Sequence, residues 1–109
     1  MKKLLTLIVF FLAFSVSLNA QEDKKQAALI KAKSDTQAIA DYLKLDGEAI
    51  NDFYNIFKQK HEFLMQDGLS DERKQILSKG IERKIYASLT DEQKKMMESN
   101  PKLMNILTH

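Results

Sequence analysis

His61 and Met65 stand one helical turn apart, in a chain with two histidines and no cysteine. An imidazole and a thioether on one helix face suit a soft or borderline metal ion, with Met96, Met97, Met104 and His109 as further donors. Two ligands at that spacing do not make a site, and a histidine within an apolar face is more often a packed, hydrogen-bonded one. Metal binding or sensing therefore stands as an alternative reading. The acid pairs Asp71, Glu72 and Asp91, Glu92 are explained as first-turn residues facing the positive end of a helix dipole. There is no cysteine nucleophile, no glycine-rich phosphate loop and no His-Glu-x-x-His. The chain reads as a non-enzyme, and no motif calls for a cofactor.

The other chemistry on offer is that of a sticky surface. Phe53, Tyr54, Ile56 and Phe63 recur at helical spacing, and Arg83 and Lys84 supply a basic rim. Apolar surface interrupted by charge can grip partly unfolded chains without self-aggregation, and methionine adapts to many partners. These six residues are the candidate client contacts. For Phe53 and Phe57 the competing reading is plain core.

The elements that must position them are all helical. An arm from Lys24 to Lys44 carries Leu29, Ala32, Thr36, Ile39 and Leu43 at alternating spacings of three and four, with Ala28 and Ala40 beside them. A second helix, Gly47 to Gln66, is expected to be capped by Asp46 and stopped by Asp67 and Gly68. Its first face is Ile50, Phe53, Tyr54, Phe57, His61, Leu64 and Met65, and its second stripe is Ala49, Ile56 and Phe63. Together they span roughly 200° of the helical wheel, twice what one neighbour covers. That width predicts either a second covering helix, a homodimer or a bound client.

A third helix, Asp71 to Ser88, is capped by Ser70 and forms an antiparallel hairpin with the second. Leu77, Ile81 and Ile85 face inward, Ile76 and Ala87 flank them, and Lys84 projects into the apolar face. Gly80 within this helix costs about 1 kcal/mol relative to alanine, which suits close approach of a partner backbone or simple drift. A short C-terminal helix begins at Thr90 with Met96 and Met97 inward. Asn100 and Pro101 then open a last turn whose Leu103, Met104, Ile106 and Leu107 fold back over the hairpin.

Lys2 and Lys3, the apolar run from Leu4 to Phe14 and the small residues Ser15, Ser17 and Ala20 have the pattern of a secretory signal peptide. Cleavage after Ala20 would leave residues 21–109 as one helical domain in the periplasm, with no stable membrane insertion. Removing both N-terminal lysines leaves 15 basic against 15 acidic residues. The mature chain is then neutral and has no basic surplus for nucleic acid. Without disulfides, so small a domain depends on packing or on oligomerisation.

Leu89-Thr90-x-x-Gln93 resembles the Leu-Thr-x-x-Gln signature of the Spy/CpxP-type periplasmic proteins. The likeness covers about residues 45–102. Upstream, where the family has Thr and Gln, this chain has Asp46 and Ala49. The resemblance implies a small, cradle-shaped, dimeric stress-response chaperone that holds unfolding proteins without ATP. An interaction subunit for a single membrane or envelope partner is a third reading.

Overall fold

The apolar spacings of the sequence fold as helices throughout. The computed structural model describes the backbone of residues 2–109 and the side chains of residues 23–109. Among these the chain is all-α, with α1 (Lys2–Leu43), α2 (Gly47–Leu64), α3 (Asp71–Ala87), α4 (Asp91–Glu98) and α5 (Pro101–Thr108). The side chains of the expected signal peptide, residues 1–20, lie outside the described ones. Among the described residues no helix is long and apolar enough to cross a membrane.

Each helix end has a local cause. α1 stops in a Schellman turn: Lys44 takes the left-handed conformation at φ 54°, and the Leu45 amide donates to the Ala40 carbonyl at 3.1 Å. Asp46 has the extended backbone of a cap, and its carbonyl accepts from the Ile50 amide at 2.9 Å. Its side chain makes no capping bond, which corrects the expected Asp46 cap. Ser70 Oγ accepts from the Arg73 amide at 3.2 Å and starts α3. Gly68, at φ 75°, turns the link between α2 and α3. Thr90 and Gln93 close a full reciprocal box: Thr90 Oγ1 accepts from the Gln93 amide at 3.2 Å, and Gln93 Oε1 accepts from the Thr90 amide at 3.0 Å. Asn100 Oδ1 accepts from the Leu103 amide at 3.2 Å, with Pro101 in the first turn of α5.

The core is one cluster drawn from every helix: Ile39 and Leu43, Phe53 and Phe57, Ile81 and Ile85, Met97, and Met104 with Leu107. Phe53 and Phe57 stack with centroids 6.3 Å apart. The seam expected on the arm is the buried face of α1, where Ala28, Ala32, Thr36, Ile39, Ala40 and Leu43 all lie inside. Leu29 is half-buried at its edge. Thr36 satisfies its hydroxyl by donating to the Ala32 carbonyl at 2.6 Å.

The wide arc of α2 is covered only along its middle, where Phe53 and Phe57 are buried. Ile50, Tyr54 and His61 line clefts that α2 shares with α1, and Phe63 lines one shared with α3. Ile56 packs on the edge of the core. α5 packs against α1 and α3, and the Tyr42 hydroxyl donates to the Met96 carbonyl at 2.7 Å, tying α4 to α1.

Three inward assignments are corrected. Met96 is 41% exposed, because α4 turns only Met97 into the core. Ile106 is exposed while its neighbours Met104 and Leu107 are buried. Lys84 lies outside the apolar face and donates to Gln59 Oε1 on α2 at 2.9 Å.

Candidate functional site

The buried face of α1 contains a residue that hydropathy alone would put outside. Asp35 follows Ala32 by one turn, so the packing that buries Ala32 and Ile39 also carries its carboxylate between the helices. Opposite it, Lys60 follows Phe53 and Phe57 along the innermost line of α2 and is fully buried. Its Nζ donates to Asp35 Oδ2 at 2.6 Å and to the Leu107 carbonyl at 2.7 Å. It also sits 5.4 Å from the centroid of the Phe57 ring, within range of a cation–π contact. Leu107 lies in the last turn of α5, where carbonyls lack helical partners and the dipole is negative. The ammonium thus neutralises a carboxylate and a helix end at once.

His61 adds a third partner. Its Nε2 lies 2.6 Å from the same Asp35 Oδ2. A carboxylate only accepts, so Nε2 carries the hydrogen and donates it, leaving the lone pair of a neutral ring on Nδ1. Burial holds the Lys60 pKa below its usual value of 10.5, against the opposing pull of the Asp35 hydrogen bond and charge. Burial also lowers His61 from 6.5; the Asp35 hydrogen bond opposes this, and the cationic Lys60 and Lys31 reinforce it. Every buried side-chain nitrogen and oxygen among the described residues has a partner. The cluster joins α1, α2 and α5, with Lys60 buried at its centre and His61 at its edge.

His61 and Met65 share a cleft of about 280 Å³ with Lys24, Lys31 and Asp67. The cationic Lys31 acts on the imidazole there and opposes a metal cation. Met97 and Met104 are in the core, Met96 is on the surface of α4, and His109 Nδ1 lies 3.0 Å from the Asn105 carbonyl. The possible soft ligands are therefore dispersed. Among the described residues no three His, Cys, Asp or Glu side chains gather as a metal-holding group.

The six candidate client contacts separate into different environments. Phe53 is only 1% exposed and belongs to the core, which corrects its assignment to a binding surface. Tyr54 is half-buried in an open cleft of about 670 Å³ between α1 and the start of α2, with Ala40, Leu45 and Ile50 as apolar neighbours. Ile56 is half-buried against the core. Phe63 borders a second cleft, of about 460 Å³, with Arg73, Ile76 and Leu77 of α3. Arg83 and Lys84 are exposed on α3. Of the Leu-Thr-x-x-Gln stretch, Leu89 is buried as a core residue, while Thr90 and Gln93 form the helix cap.

Two kinds of residue escaped the reading of the sequence. Asp35 and Lys60 each read as a solvated charge, and only the fold shows that they meet. Ile76 is 65% exposed beside Phe63, and its sequence signal was its offset from the Leu77, Ile81 and Ile85 face.

A scan against protein-family models, a search of curated proteins and a search of solved structures found no match to this chain.

Proposed function

We propose that this chain is an exported, ATP-independent holdase of the envelope, which binds apolar stretches of partly unfolded proteins. The observation that carries the reading is the cleft between α2 and α3, where Phe63, Leu77 and the exposed Ile76 make an almost wholly apolar wall beside Arg73. Among the described residues the core closes elsewhere, with Phe63 and Leu77 half-buried and Ile76 left exposed in this cleft. A patch of that kind, bordered by charge, is suited to transient contact with exposed apolar segments. Binding unfolded chains requires no nucleotide, since affinity for the unfolded state by itself withholds that state from aggregation. The Leu89, Thr90 and Gln93 motif and the N-terminal leader-like segment supply the envelope context of the proposal. A homodimer would widen the apolar area by placing two such walls on one particle.

The test is light scattering of a chemically unfolded, unrelated protein diluted into buffer with equimolar amounts of this one and no ATP. Suppression that is lost in the Ile76→Ser, Phe63→Ser double variant, with helicity preserved, supports the proposal. A wild-type protein that leaves aggregation unchanged refutes it.

A further inference from the structure

Among the described residues, none packs against the place that a side chain at Gly80 would take. Gly80 lies in the middle of α3 with ordinary helical backbone, and apart from its own helix no atom comes within 4 Å of the place where a Cβ would stand. A helical glycine is unfavourable by itself, so it is informative where it leaves a notch in an outward face. That is its setting here. Ile76 is one turn before it, 65% exposed, and the exposed Ala87 lies farther along the same face. Arg73, Lys79 and Arg83 border the row, all of them exposed. The acids of α3 are fewer, and two of them, Asp71 and Glu72, lie in the first turn, where they serve the helix dipole.

We propose that the outer face of α3 is a docking surface for an acidic amphipathic helix of a client or partner protein, which crosses α3 at Gly80. The missing side chain lets the two backbones approach, Ile76 inserts into the partner's apolar stripe, and the basic border meets its flanking carboxylates. Charge selects this occupant over a second copy seated through the same face, since α3 against α3 would set Arg73, Lys79 and Arg83 against one another. The inference rests on the client-binding reading above and names the class of segment preferred.

Two fluorescent helical peptides with the same leucine stripe, one flanked by glutamates and one by lysines, are titrated into the purified protein and followed by anisotropy. The glutamate peptide is expected to bind at least tenfold more tightly than the lysine peptide, and added salt should reduce the difference. Gly80→Leu should weaken its binding at least tenfold while the melting temperature holds or rises, because leucine fills the notch and is the better helix former. Equal binding of both peptides, or binding unaffected by Gly80→Leu, overturns the inference. So does a preference for vesicles containing phosphatidylglycerol over the glutamate peptide, or self-association that Gly80→Leu abolishes. Suppressed aggregation without peptide selectivity would refute this surface alone. Selective peptide binding without suppression would refute the holdase reading and retain the surface.

Discussion

Replacing Asp35 by asparagine should be among the most damaging single changes of near-equal volume available to this protein. Lys60 Nζ would keep the Leu107 carbonyl at 2.7 Å but lose the carboxylate at 2.6 Å, and its side chain is only 1% exposed. Removing one partner of a buried ion pair costs about 3–5 kcal/mol, because the remaining charge stays desolvated. The asparagine oxygen can still accept a hydrogen bond, which places the expected loss near the lower end, about 3 kcal/mol. At about 4–8 °C per kcal/mol for a domain of this size, the midpoint should fall by about 12–24 °C. Thermal unfolding at pH 7, followed by circular dichroism, measures it directly. The combined Asp35→Asn, Lys60→Met variant should lose less than Asp35→Asn alone, since no ammonium is left to desolvate. A single variant that melts within about 4 °C of wild type, or a double variant that loses the sum of both singles, would refute the reasoning. Either would mean that Lys60 reaches water in solution.

His61 gives the pH dependence. Its folded-state pKa is lowered, chiefly by burial, so the unfolded chain binds the proton more readily. Its contribution is fully present above about pH 6.5, the unfolded value, and is lost as pH falls from there through the folded value. Melting between pH 7.5 and 5 should show that decline, and His61→Gln should reduce it; an unchanged slope would refute the assignment. Lys44→Gly should raise stability by about 1 kcal/mol, because glycine takes φ 54° without the left-handed penalty, and urea unfolding would register the gain. Thr90→Ala should cost about 1 kcal/mol by breaking the reciprocal box of α4, read in the same assay. If Thr90→Ala is silent, the box frays in solution and the motif needs another explanation.

What the sequence made legible was periodicity with its punctuation. The seam of α1, the Ser70, Thr90 and Asn100 caps and the all-α class follow from spacing and local chemistry, which act within a few residues. The Asp46 cap failed at the side chain alone: the backbone took the cap conformation without the bond. Met96 and Met97 show the limit of a short helix, where one turn cannot specify which of two adjacent methionines points inward. Phe53 and Phe63 show a different limit. Both lie on the broad apolar arc of α2, and their separation into core and surface depends on where α1 and α3 lie, which the period of α2 does not encode.

Asp35 and Lys60 are separated by 25 positions, and each by itself reads as a solvated charge. Their burial is a property of the α1 and α2 packing together, completed by a carbonyl from α5. The alanines make it possible: Ala28, Ala32 and Ala40 keep the seam of α1 thin, so α2 approaches closely enough for a lysine to span the gap. A thin seam buries little apolar area, which makes burying a charge beside it expensive. The pair is therefore a costly way to stabilise the contact and a selective way to fix it. Only one register of α1 against α2 sets the carboxylate opposite both Lys60 and His61, and only one seat for α5 brings Leu107 to the ammonium. On that reasoning the cluster defines the arrangement of the helices, while the apolar core that includes Phe57, Ile85 and Leu107 supplies the burial that stabilises it.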